Sequence, residues 1–112
     1  MVYYTDMRVF KKARHNITKI AEICENSKGF GDLHNQMKRA ALSVVLNIAE
    51  GAGSGSKKQN VRFLTIARGS NHELLAQALI LSDLKMIAAD AEIIDNINHV
   101  GRMLTKLIQC LR

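Results

Sequence analysis

Proline and tryptophan are absent from this 112-residue chain, aromatic residues make up only 4% of it, and cysteine occurs twice. A chain without proline and nearly without aromatics lacks the turn chemistry and β-branched, aromatic-rich runs from which sandwiches and barrels are built. An all-α fold is expected. Cys24 and Cys110 have no CxxC partner and no histidine at ligand spacing, which removes zinc-site and redox-motif readings and leaves two buried thiols that do not pair. No window approaches the roughly 18 consecutive apolar residues of a membrane span, and the first ten residues hold no apolar leader core. A soluble, cytoplasmic protein without membrane contact is expected.

Hydrophobic residues make up 47% of the chain, and its length suits one domain over residues 1–112. At this mass roughly two-thirds of the unfolded chain's surface is buried on folding, enough for a core that needs no disulfide. Sixteen Lys and Arg against ten Asp and Glu give a net charge of +6 and a pI near 9.6, a balance that favours anionic partners.

Hydrophobic spacing predicts four helices. Over residues 6–27, Phe10, Ala13, Ile17, Ile20 and Cys24 recur at alternating spacings of three and four, a heptad seam. The Lys-Gly-Phe-Gly run at 28–31 ends that helix, and Asp32 is the expected N-cap of the next. The second helix, 33–50, carries one apolar stripe of Leu33, Met37, Ala41, Val44 and Ile48. A second stripe of Leu42, Leu46 and Ala49 lies about 150° round, with a polar line of Gln36, Arg39, Ser43, Asn47 and Glu50 between them. The second stripe has few partners within four helices and reads as a subunit interface. Ser56 and Gln59 make a capping-box spacing at the end of the glycine-rich run 51–56, and open a third helix to about residue 84. Its core stripe is Leu64, Ala67, Asn71, Leu74, Ala78 and Leu81. A fourth helix from about residue 90 follows the seam Ile93, Ile97, Val100, Leu104, Leu107 and Leu111. Short connections favour an antiparallel up-down-up-down four-helix bundle.

That topology sorts the charges. Arg8, Lys11, Lys12, Lys57, Lys58, Arg62, Lys106 and Arg112 fall at one end, against Asp6 and Glu50. Glu22, Glu25, Asp32, Asp83, Asp90, Glu92 and Asp95 fall at the other, against Lys28 and Lys85. A cationic end beside a glycine loop that opens a helix suits phosphate binding.

Catalytic patterns are missing. The 51–58 loop lacks GxxxxGK[ST] spacing and follows a helix where a P-loop needs a strand. His15, His34, His72 and His99 form no HExxH or Glu-x-x-His pair, so no metal or other cofactor is called for. The polar line of the second helix reads as a hydrogen-bond network of Arg39, Ser43, Asn47 and Glu50, with Arg68 and Glu73 of the third helix as partners.

Lys38-Arg39-Ala40, Ser43, Asn47-Ile48-Ala49-Glu50-Gly51, Arg62-Phe63-Leu64, Ile66-Ala67-Arg68-Gly69-Ser70 and Glu73-Leu74 together resemble the four-helix bundle family encoded in intervening sequences of bacterial 23S rRNA genes. The resemblance implies an antiparallel bundle that assembles as a ring-shaped homopentamer and has no established enzymatic activity. It also implies a distant relation to the accessory variability protein of diversity-generating retroelements, a basic pentamer that binds nucleic acid and a reverse transcriptase. Ser54 stands where that family frequently carries Arg. The expected function is non-enzymatic binding of RNA or DNA backbone by a homo-oligomer through Arg8, Lys11, Lys12, Lys57, Lys58, Arg62 and Lys106. A structural or protein-interaction module, such as an accessory subunit of a reverse transcriptase, is the alternative.

Overall fold

A computed structural model describes residues 7–25, 31–84 and 91–112. The expected bounds at residues 6, 27 and 90 and the 28–30 stop lie outside them. The described residues form α1 (Arg8–Glu25), α2 (Gly31–Ala52), α3 (Lys57–Asp83) and α4 (Ala91–Leu111), with no strand. Each helix packs on its neighbours in the chain, and α1 closes the ring against α4. The resulting bundle measures 43 × 20 × 19 Å, its long axis matching the roughly 40 Å that a 27-residue helix spans.

Its interior divides into two apolar clusters. One joins Val9, Phe10 and Ala13 of α1 and Leu64 and Ala67 of α3 to Val44, Val45 and Ile48 of α2 and Val100, Leu104 and Ile108 of α4. The other joins Ile20 and Cys24 to Met37, Ala40 and Ala41, to Leu74, Ala78 and Leu81, and to Ile93 and Ile97. First-half residues of α1 and α3 thus meet last-half residues of α2 and the middle and end of α4.

The six predicted core positions of α3 are all buried. In α1 Ile17 is half-buried and Asn16 is buried beside it; in α2 Leu33 is half-buried, while Ala40 and Val45 join the core. In α4 the expected Leu107 and Leu111 are half-buried, and Ile108 is buried instead. A helix of 3.6 residues per turn drifts about 20° per heptad against a strict seam, so by the last turn the inward position has moved on by one. Asp32 does not cap α2 from outside. It lies in the first helical turn, where its carboxylate accepts from Gln36 at 2.7 Å and faces the positive end of the helix dipole.

Ser56 caps α3 as its spacing predicts: its backbone is extended and its hydroxyl accepts from the Gln59 N–H at 3.1 Å. The glycines before it serve packing and turning. A Cβ on buried Gly51 would stand 3.1 Å from Phe63 Cβ and 3.2 Å from the Asn60 carbonyl oxygen, so glycine gives α2 and α3 a closer approach there than a side chain leaves room for without a shift. Gly55, at φ +80°, makes the turn into α3.

Both cysteines are free, but only Cys24 is buried; Cys110, expected inside, is exposed because it lies about 200° round α4 from Ile108. Burial raises the Cys24 thiol pKa, partly offset by Lys38. A thiol reagent is therefore expected to label Cys110 in the native protein and Cys24 only in denaturant, as mass spectrometry of the labelled peptides reads directly. Gly51→Ala is expected to destabilise the bundle by about 1–3 kcal/mol in chemical denaturation, the usual range for overpacking a close contact.

Candidate nucleic-acid interface

The first turns of α1 present Arg8, Lys11 and Lys12 on one side, because residues three and four apart stack along a helix. Arg8 and Lys11 are exposed and Lys12 is half-buried. Facing them, α4 contributes His99 and Met103, and His15 closes the upper end of a groove of about 330 Å³. Among the described residues no carboxylate lines it. The His99 pKa is held below the ordinary 6.5, first by lost hydration and then by the cations Lys12, Arg102 and Arg8.

Lys106 stands in the adjoining α3–α4 groove of about 570 Å³, where Arg102, His72, Asn98 and Thr105 also lie and where, among the described residues, no carboxylate is found. Asn71 and Gly101 meet in that groove. The Asn71 amide donates to the Ile97 carbonyl at 2.9 Å, and a Cβ on Gly101 would come within 3.2 Å of the same amide nitrogen.

Lys57, Lys58 and Arg62 line neither groove. They are exposed on the first turns of α3, next to the cluster that Leu64 shares with α1 and α4, and the Arg62 guanidinium lies 5.7 Å from the Phe63 ring centre. The bundle thus brings Arg8, Lys11 and Lys12 into one groove, sets Lys106 in the next, and leaves the α3 trio beside them.

His99 and Arg102 were not singled out by sequence reasoning. With Lys106 they form a stripe at spacings of three and four, but nothing in the spacing says which helix that stripe approaches.

The polar line of α2 is smaller than expected. Ser43 and Ser70 hydroxyls share a hydrogen bond at 2.7 Å across the α2–α3 seam, and Asn47 donates to the Ser43 carbonyl at 2.8 Å and hydroxyl at 3.1 Å. Arg39 and Glu73 border this seam in a groove of about 340 Å³, where Glu73 accepts from Gln77 at 3.3 Å. Glu50 is exposed and Arg68 half-buried, and among the described residues neither joins the hydrogen bonds around Ser43.

On the outer face of α2, Leu42 and Leu46 are 46% and 56% exposed, while Ala49 is half-buried against the first cluster. Ile66 of α3 is 42% exposed. Among the described residues no helix is long and apolar enough to cross a membrane.

Four helices packed in a ring, with cations gathered along two of their grooves, define a small four-helix bundle protein. The 23S rRNA-intervening sequence protein family matches residues 5–106, and the chain belongs to that family. No curated protein matches it.

Proposed function

We propose that this protein binds nucleic acid, in the first instance RNA, through the phosphate backbone, without enzymatic activity and as a cytoplasmic homo-oligomer. The family resemblance adds five as the expected number of copies. The observation that carries the reading is the gathering of Arg8, Lys11, Lys12, Arg102 and Lys106 along two adjoining grooves with no lining carboxylate among the described residues, with Lys57, Lys58 and Arg62 beside them. Cations spaced over one end of a bundle meet phosphates whatever the base sequence, and each contact releases counterions. Exposed aromatic platforms for stacking bases are few, so recognition runs through charge and shape.

Self-association is supported by a separate observation: Leu42 and Leu46 expose apolar side chains on the outer face of α2. Symmetry would then bring several basic ends together and multiply a modest charge.

Mobility shifts of labelled structured RNA and duplex DNA at two salt concentrations test the function. Replacing Lys57, Lys58 and Arg62 together with Gln is expected to weaken binding to all sequences. The log K against log salt slope should shrink by about 0.9 per lost contact on duplex and about 0.7 on single strands. Lys19→Gln with Lys38→Gln, in the other half of the bundle, should change it little. Wild type without affinity for either nucleic acid at low salt would replace this reading with the protein-interaction module.

Leu42→Glu with Leu46→Glu is expected to leave helicity intact and to lower the mass in light scattering, since two charges would enter an apolar contact outside the intrachain core. A double variant at the wild-type mass, or a monomeric wild type, would remove self-association through this face.

A further inference from the structure

Among the described residues, the ionisable side chains that line the α1–α4 groove are cations or imidazoles: Arg8, Lys11, Lys12, His15 and His99, with Met103 as an apolar neighbour. The geometry points to a seat for one tetrahedral oxyanion, a backbone phosphate of the nucleic acid, held by Arg8, Lys11 and Lys12 from α1 and by His99 from α4 as a donor that gains its proton on binding. This rests on the nucleic-acid reading above and adds to it a single groove and a proton linkage.

Arg8 and Lys12 are one turn apart, about 6 Å along the helix, with Lys11 between them, a spacing that lets three side chains converge on one small anion. A groove of about 330 Å³ takes a phosphate together with part of its sugar, and half-buried Met103 offers that sugar an apolar contact. Among the described residues no lining carboxylate competes for the cations.

His99 supplies the linkage. Lys12 and Arg8 face it from α1 and Arg102 from its own helix, His15 shares the groove, and Asp95 lies one turn earlier on α4. Lost hydration first, and then the cations, hold the imidazole pKa below its ordinary value. The empty groove therefore holds a neutral His99 at pH 7. An oxyanion placed among these groups reverses the local sign and favours the imidazolium. The complex then carries more protons than the free protein, and affinity rises as pH falls from the bound-state pKa to the lowered free-state one. Above that window the three α1 cations still bind, more weakly.

Sulfate, which stays a dianion throughout, and a short uridine oligonucleotide, whose phosphodiesters do not titrate, are the probes. Calorimetry from about pH 7.5 to about pH 5.5 should show affinity for both rising, by at most about tenfold per unit for one proton taken up. Buffers of different ionisation heat should report uptake of up to one proton. His99→Asn should bind with a shallower pH profile than wild type, and His15→Asn should keep the larger part of the wild-type slope. The His99 ring NMR titration in the wild type should move to higher pH when sulfate is added, a readout independent of any variant's folding. An unchanged His99 titration, or a His99→Asn profile as steep as wild type, overturns the proposal, and salt-dependent RNA binding that survives such a result leaves the nucleic-acid reading standing. Sulfate binding with proton uptake but no oligonucleotide binding keeps the oxyanion seat and removes that reading.

Discussion

Burial of two stacked apolar clusters among four helices is the constraint on which the rest of this protein depends. Each cluster takes its side chains from alternate halves of successive helices, so Phe10 and Ala13 share an interior with Val44, Leu64 and Leu104, residues far apart in the chain. Burying each such side chain is worth about 1.5–3 kcal/mol, more than any single surface contact. The apolar seam therefore sets the register, and the surface charges follow it. Arg8 and Lys12 meet His99 because Phe10 and Ala13 meet Val100 and Leu104.

Polar groups in the interior sharpen that register at a cost. Asn16 and Asn71 border a small internal space with Ala13, Ala41, Val44 and Leu74, where the two clusters join, and the Oδ1 of each has no hydrogen-bond partner. An unsatisfied buried oxygen costs on the order of 1–3 kcal/mol. Against this, the Asn71 amide bonds the Ile97 carbonyl at 2.9 Å, a contact that exists only where Gly101 lets the amide approach α4. Sliding α4 by one turn would leave that amide facing a side chain and without its acceptor. Gly51 does for the α2–α3 seam what Gly101 does for α3–α4: a missing side chain fixes where two backbones come close.

Much of the fold was legible because helical periodicity is a local signal. The α3 core positions and the Ser56 cap follow from spacing within a few residues. The errors share a physical origin. The strict heptad placed Leu107 and Leu111 inside, whereas the accumulated phase of a 3.6-residue helix buries Ile108. Cys110 was taken as buried from its residue type, and type does not outweigh its place on the outer side of α4. Across the polar line of α2, Glu73 borders the seam with Arg39 and Ser43, and Ser70, which spacing did not single out, meets the Ser43 hydroxyl.

What the sequence determined by itself is the class of fold, the identity of the cations and the apolar outer stripe of Leu42 and Leu46, since composition and period are properties of single segments. Tertiary structure alone decided which cations share a groove. Arg8, Lys11 and Lys12 could have faced solvent at the tip, and His99 and Arg102 could have faced any neighbour. Closure of α1 against α4 sets them together, because the position of one helix against another depends on side-chain volumes and close approaches summed over the whole interface, which no single helix encodes.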